Sequence, residues 1–83
     1  MNILLRTDFK TNARGYTLLI ARDLFGDLSV VRCWYGLHNN RGGHKHEPCH
    51  DWNEALDEYR RITDLRLRRG YQEIAPIEVE NAA

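Results

Sequence analysis

Four histidines and a cysteine cluster in the middle of this sequence, and residues of these types could hold a metal. The run "HKHEPCH" at positions 44–50 sets two imidazoles on one face of a strand and a thiol soon after, and zinc takes three or four such ligands. The spacing matches no usual finger or ribbon pattern, and no C-x-x-C pair occurs. Histidines at a loop-rich edge are more often polar surface, so we predict no metal site. The candidate ligands are His38, His44, His46, Cys49 and His50.

The same thiols and histidines raise a second chemistry, that of a Cys-His nucleophile. No loop suited to an oxyanion hole and no third, orienting residue is recognisable beside them. The glycines Gly36, Gly42 and Gly43 are typical of turns, because the sequence lacks the Gly-x-x-x-x-Gly-Lys pattern of a phosphate-binding loop. The sequence therefore predicts neither an enzyme nor a cofactor.

Trp34 ends a β-rich run, "VVRCWYG", that leads into an Asn/Gly loop. An exposed indole can stack on a sugar or base of a nucleic acid, which contributes about 1–3 kcal/mol. Arg32 shares the face of Trp34, and Arg14 and Lys45 could add positive charge nearby, so that binding would fall steeply with salt. The alternative is that Trp34 fills the core between sheet and helix. Its position at a strand end, beside a loop, favours at least partial exposure, and both interpretations stay open.

The length and composition of the chain indicate one small soluble domain. The chain has 83 residues, of which 42% are apolar and 29% charged, and a chain of this length has room for a single core. No apolar run approaches the ~20 residues that span a bilayer, and the start "MNILLRTDF" is not typical of a secretory signal. Two cysteines are too few to cross-link a secreted scaffold, so we expect free thiols in a cytoplasmic protein.

The neutral net charge hides an asymmetry along the chain. Residues 1–72 contain all 12 lysines and arginines and nine of the 12 acids, a balance of +3, so the C-terminal tail is acidic. The segment "RRITDLRLRR" at 60–69 carries five arginines against one aspartate. Such a cluster can be a phosphate-binding surface, but on a small helix it is more often the solvated face.

Alternating apolar residues and turn signals predict the strands. The Gly-Asp pair of "LFGDL" suits a hairpin turn, and the Asn and Gly residues of "HNNRGG" suit a second turn. The third strand has apolar residues on both faces, which is typical of a central strand with one face under a helix. The predicted strands span 2–7, 16–21, 28–37, a short segment at 44–47 that Pro48 ends, and 71–74.

One amphipathic helix of about five turns follows the fourth strand. Asp51 is a suitable N-cap, with Glu54 three residues later, and Gly70 suits the position just after the last turn. Ala55, Tyr59 and Ile62 follow a helical spacing and predict its buried face. The element order predicts an α+β fold, an antiparallel sheet of four to five strands with the helix across it. We expect one domain over 1–75 and a flexible acidic tail over 76–83.

Five segments in this order resemble the WGR domain, a family named for its Trp-Gly-Arg motif and found in poly(ADP-ribose) polymerases and small bacterial proteins. They are "DFKTNARGY", "LFGDLSVVRCWYG", the Asn/Gly loop, "EALDEYRR" and "LRLRRGYQEI". The resemblance spans about Leu4 to Ile74. It implies a non-catalytic module with a compact antiparallel sheet and one helix. In the polymerases the domain recognises DNA breaks: the motif tryptophan packs on the sugar at a strand end, and the motif arginine reaches nucleic acid and a neighbouring domain.

The motif itself is altered in this chain. Trp34 matches the motif tryptophan, whereas Tyr35 stands in the place of the glycine and Gly36 in the place of the arginine. His38 replaces a further glycine of the family. The following loop is longer, so that Arg41 could return a positive charge to the same place.

The leading hypothesis is a module that binds DNA ends or breaks without catalysis. Its predicted nucleic-acid-binding residues are Trp34, Arg32, Arg14, Arg41 and Lys45. The alternative is a protein-interaction or homodimerisation module without DNA binding, which the neutral net charge and the loss of the motif arginine favour. A zinc-binding domain is a third interpretation. We expect no membrane partner and no small-molecule substrate.

Overall fold

A computed structural model describes residues 2–74 of the chain. One sheet of five strands has the order β4-β3-β2-β1-β5, and each strand is antiparallel to its neighbours. A single helix packs against it, so the predicted α+β fold is confirmed. The elements are β1 (Asn2–Lys10), β2 (Arg14–Arg22), β3 (Leu28–Gly36), β4 (Gly42–Cys49), α1 (Trp52–Arg68) and β5 (Gln72–Ile74).

The fourth strand is longer than the sequence predicts. It runs from Gly42 to Cys49 and passes through Pro48, which was expected to end it. β4 lies at the edge of the sheet, and proline is tolerated in an edge strand because its missing N–H removes no hydrogen bond of an inner ladder. The turn signal of this proline is therefore overridden by its place in the sheet.

The core lies between α1 and one face of the sheet. Alternation along each strand directs every second side chain to this face, and the helix contributes Ala55, Tyr59 and Ile62 as predicted. Complete burial of a large apolar side chain contributes about 1.5–3 kcal/mol, so these contacts provide most of the favourable energy. The largest of the fully buried side chains are Phe9, Leu18, Ile20, Ile62 and Val30.

A second, smaller apolar cluster lies on the opposite face of the sheet. Leu19, Ala21 and Val31 are buried there and Cys33 packs against them, although no helix among residues 2–74 covers this face. The cluster explains why β2 and β3 have apolar residues on both faces. The expectation that the third strand is internal, with one face under the helix, is confirmed by its pairing with β2 and β4 and by its contacts with α1.

The two ends of the helix have the caps that its sequence predicts. Asp51 Oδ1 accepts a hydrogen bond of 2.8 Å from the backbone N–H of Glu54, and the Glu54 carboxylate reaches back to the N–H of His50, at 3.4 Å. Gly70 has a φ of 87°, which favours glycine. The backbone N–H of Tyr71 bonds to the carbonyl of Arg66, at 3.1 Å, and the chain turns back towards the sheet.

The loops and the two ends of the helix lie in two groups, one at each end of the sheet. The β1–β2 loop, the β3–β4 loop and the end of α1 lie at one end of the sheet, whereas the β2–β3 loop, the β4–α1 connection and the start of β1 lie at the other. Both cysteines are free thiols, as expected. Within residues 2–74 no helix is long and apolar enough to cross a membrane. The acidic tail predicted for 76–83 lies outside the described residues.

Candidate nucleic-acid interface

An open cleft of about 740 Å³ lies at the end of the sheet where α1 ends. Its lining includes three of the five predicted binding residues, Arg14, Trp34 and Arg41. Among the lining residues that the structure describes there is no carboxylate. The lining comprises Ala13, Arg14, Tyr16, Trp34, Tyr35, Gly36, Asn39, Arg41, Gly42, Arg66 and Tyr71.

Trp34 lies on the helix side of β3 but outside the buried core. Its side chain is 42% exposed, and its direct neighbours across the sheet are Tyr16 on β2 and Gly43 on β4. The indole lies over Gly43, because a Cβ atom at that position would come within 2.8 Å of Cζ2 of the ring. One part of the ring is thus held against the backbone of the sheet, and the remainder is open to the cleft.

The loop after β3 sets the position of Arg41. The backbone N–H of Gly36 bonds to the carbonyl of Arg41 at 2.8 Å, and Asn39 Oδ1 accepts the N–H of Arg41 at 2.9 Å. A bond of 2.9 Å from the N–H of Leu37 to the carbonyl of Ala13 ties this loop to the β1–β2 loop. The first two bonds hold Arg41 within its own loop, the third holds that loop beside the β1–β2 loop, and Arg14 and Arg41 both line the cleft.

Arg66 is a third cleft arginine, which the sequence did not identify as a binding residue. Its guanidinium carbon is 4.7 Å from the ring centroid of Tyr16 and 5.3 Å from that of Tyr71. Its Nε is buried and has no hydrogen-bond partner in the part of the chain that the structure describes. Position 66 continues the helical spacing of Ala55, Tyr59 and Ile62, and its guanidinium packs on Tyr71, where the chain returns after the helix.

The remaining two predicted residues, Arg32 and Lys45, lie outside the cleft lining. They face each other across β3 and β4, on the helix side of the sheet and two residue pairs further from its end than Trp34. Arg32 Nη2 forms an ion pair of 3.4 Å with Glu47, and its side chain is only 20% exposed. Part of its charge is therefore compensated within the protein, whereas Lys45 is exposed.

The family model of the WGR domain matches residues 1–78. The chain belongs to the WGR domain family. WGR domains are non-catalytic modules associated with the binding of nucleic acid and DNA breaks, and the resemblance recognised in the sequence is confirmed. No curated protein and no solved structure is significantly similar to the chain.

The structure around β3 explains how the two altered positions of the WGR motif, Tyr35 and Gly36, are accommodated. Tyr35 points to the face opposite Trp34, and its ring lies over Gly15, where a Cβ atom would come within 2.6 Å of the phenol oxygen. A tyrosine in the place of the motif glycine thus leaves the face of Trp34 unchanged. The space beside Gly36 holds the Asn39 side chain, so an arginine there would displace it.

The candidate metal ligands of this WGR domain lie on separate surfaces. His44 and His46 share the sheet face away from the helix, with ring centroids 5.7 Å apart, whereas Cys49 is on the helix side with Leu28. Burial and then the charge of Glu54 raise the pKa of the Cys49 thiol, which opposes the thiolate that a ligand or nucleophile requires. Within residues 2–74 no group of three or more potential ligands is close enough to hold a metal.

Proposed function

We propose that this WGR domain binds DNA ends or breaks in the cleft, with Trp34 as the stacking surface and Arg14 and Arg41 as phosphate ligands. The observation that carries the proposal is a half-exposed indole among three guanidinium groups with no carboxylate in the described lining. DNA carries a negative charge on each phosphate and presents flat sugar and base surfaces. Guanidinium groups can bind the phosphates, and an aromatic ring can stack on a sugar or base. At a strand end the terminal sugar and base are accessible to an aromatic ring.

The immobilisation of Trp34 supports this role. A ring held against Gly43 loses little conformational freedom when a ligand stacks on it, so more of the contact energy remains as affinity. Arg66 is held in the same way between two tyrosine rings. The charge of Arg66 in the cleft lining would attract a phosphate while the guanidinium stays packed against the two rings.

We assign a smaller contribution to Arg32 and Lys45. Arg32 forms an ion pair with Glu47. Arg32 and Lys45 both lie further than Arg14 and Arg41 from the place where the end of a DNA strand would meet Trp34. They extend the positive surface along the helix side of the sheet, where a duplex leaving the cleft could pass. Arg14 and Arg41 are therefore expected to affect affinity more than Arg32 and Lys45.

A fluorescence anisotropy titration with nicked, blunt-ended and uninterrupted duplexes tests the proposal. We expect nicked and blunt DNA to bind more tightly, with a loss of about 1–3 kcal/mol for Trp34→Ala. Arg14→Ala and Arg41→Ala should each reduce the salt slope by about 1. Arg60→Ala, which removes an exposed arginine away from the cleft, is the matched control. Absence of salt-sensitive binding below roughly 100 μM would refute the proposal.

The alternative class, a protein-interaction or homodimerisation module without DNA binding, makes a different prediction about the same indole. A dimer that uses the cleft surface would bury Trp34 and exclude DNA from it. Quenching of tryptophan emission by acrylamide separates the two when it is measured as a function of protein concentration in a Trp52→Phe variant, in which Trp34 is the one remaining tryptophan. Quenching that falls with concentration, together with no response to DNA, would favour the alternative.

A further inference from the structure

The β2–β3 loop carries two apolar side chains that are almost fully in water. Leu24 is 90% exposed and Phe25 is 89% exposed, although leucine and phenylalanine are among the residues most often buried. We call the connecting residues 23–27 the tip. Side chains this exposed contribute almost nothing to the core, so the stability of the fold does not explain their presence.

The tip is rigidly held by its own hydrogen bonds. Asp23 Oδ1 accepts the backbone N–H groups of Phe25, at 2.8 Å, and Asp27, at 3.0 Å. Asp23 and Asp27 are also joined through their backbones at 3.0 Å. The guanidinium of Arg22 donates to the carbonyl of Gly26, at 3.0 Å. An apolar surface that is fixed before binding loses little conformational entropy when a partner covers it.

More partly exposed apolar side chains lie at the same end of the sheet. The start of β1 pairs with the end of β2, and α1 begins just after the end of β4. These segments contribute Ile3, 49% exposed, Leu4, 37% exposed, and Trp52, 40% exposed. Ile3 pairs with Ala21 on the sheet face away from the helix, and Trp52 begins the helix, so these side chains flank the tip on both faces of the sheet. The cleft is at the opposite end.

The charges at the tip indicate what covers it. Arg22 is the last residue of β2 and Asp27 directly precedes β3, and neither takes part in an ion pair within the described range 2–74. The Asp23 carboxylate already accepts two backbone N–H groups of the tip, which leaves Arg22 and Asp27 for pairing between copies. A two-fold axis can set the cation of each copy opposite the anion of the other. The additional acids Asp23 and Asp51 would disfavour an anionic lipid surface.

We infer that the tip is the contact surface between two copies of this chain. Leu24 and Phe25 of each copy pack on those of the other, and Arg22 of one copy pairs with Asp27 of the other. A standard interface buries about 800 Å² per partner. Because the apolar surface here is smaller, the dimer is weak, with a Kd on the order of 100 μM. Both clefts stay open in it, so the dimer is independent of the proposed DNA binding.

Sedimentation velocity of the full chain between about 0.01 and 1 mM brackets this Kd and tests the first part of the inference. We expect the weight-average sedimentation coefficient to rise with concentration, and the L24S/F25S variant to remain monomeric. The control L67Q removes a helix leucine that is 46% exposed, and it should associate as the unaltered chain does. A monomer throughout, or equal association of L24S/F25S, would overturn the inference. Circular dichroism checks that each variant is folded.

A mixing experiment tests the charge pairing itself. R22D and D27R each set like charges opposite one another in a two-fold dimer, so each alone should dissociate at least about tenfold more readily. An equimolar mixture of the two variants restores both opposite-charge pairs and should associate as the unaltered chain does. Recovery in the mixture would demonstrate the two-fold contact. If the mixture stays as weak as its components, the inference is wrong.

Discussion

Two aromatic residues adjacent in sequence, Trp34 and Tyr35, each cover a glycine on a neighbouring strand. The indole lies over Gly43 on the helix side of the sheet, and the phenol ring lies over Gly15 on the other side. Glycine leaves the backbone open to a ring in a way that no other residue does. Each ring is therefore in contact with the backbone on one side and exposed on the other.

Gly43→Ala should displace the indole. The added Cβ atom would lie 2.8 Å from the ring, closer than carbon atoms approach, so the ring has to shift. We expect DNA affinity to fall about threefold to tenfold, or about 0.6–1.4 kcal/mol, in the titration described above. His44→Ala, one position along on the opposite face, is the control. Equal affinity of the two variants would argue against a positioning role for Gly43.

Arg66→Met should separate the charge of Arg66 from its packing. Methionine keeps an unbranched apolar stem beside Tyr16 and Tyr71, so the free energy of unfolding should change by no more than about 1 kcal/mol. The salt slope of DNA binding should fall by about 1. Arg68→Met removes an exposed arginine from the same helix and should change the slope less. If both variants change the slope equally, Arg66 acts only through general positive charge.

At the scale of elements, α1 does more than cover the sheet. Its N-terminal half carries acids and its last turn carries Arg66 and Arg68, an arrangement that complements the helix dipole. Gly70 then turns the chain so that Tyr71 packs edge-on against Tyr16, with ring centroids 5.9 Å apart. The end of the helix thereby completes one wall of the cleft.

The N-terminal cap of α1 is expected to contribute measurably to stability. Asp51→Ala removes the acceptor of the bond from Glu54, and the loss of such a cap costs about 1 kcal/mol. Urea denaturation followed by circular dichroism measures the change. Asn53→Ala, an exposed neighbour in the first turn, is the control and should change stability by less than half as much. DNA affinity should be unchanged, because the cap is remote from the cleft.

At the scale of the molecule, acidic and basic groups collect at different places. A shallow surface beside the start of α1 is lined by five acids and one arginine, namely Glu47, Asp51, Glu54, Asp57, Glu58 and Arg61. The cleft at the far end is lined by three arginines. A nearly neutral chain therefore has a strong charge asymmetry, and this field would orient an approaching polyanion with the cleft towards it.

Acid should destabilise the fold through Glu58. The hydrogen bond from Arg61 is the main cause that lowers the pKa of Glu58 from its ordinary value of 4.5, and burial opposes it. A carboxyl whose pKa is lower in the folded state stabilises the fold above its unfolded pKa, and this contribution is lost as the pH falls through the folded pKa. Stability should therefore decline below about pH 4.5.

Glu58→Gln tests this pH dependence by urea denaturation at several pH values. The decline in the free energy of unfolding below pH 4.5 should be shallower than in the unaltered chain. Asp64→Asn removes an exposed acid from the same helix and serves as the control. An equally steep decline in Glu58→Gln would show that this carboxyl does not contribute to the pH dependence. Asp8, whose pKa is raised by burial but lowered overall by Thr17 and Arg6, should add to the decline.

Much of the fold was predictable because its signals are local. The cap at Asp51, the spacing of Ala55, Tyr59 and Ile62, and the end at Gly70 depend on residues within a few positions of each other. The alternation along β3 likewise assigned Arg32 and Trp34 to one face. Five short segments in order were sufficient to indicate the WGR family. The strand bounds were less predictable: β1 continues to Lys10, past its predicted end at Thr7, and β4 begins at Gly42 and passes through Pro48. These bounds depend on pairing with neighbouring strands and on the place of β4 at the sheet edge.

Tertiary structure decided which residues line the cleft, because the lining residues are far apart in sequence. Strand register brings Arg14 to Gly36 and pairs Arg32 with Glu47, and the return of the chain after the helix adds Arg66. Register also separates His44 and His46 from Cys49, since alternation sends them to opposite faces of the sheet. The sequence alone determined which side chains are available. Which of them meet was decided by pairings across the sheet and the packing of α1, which no short segment specifies.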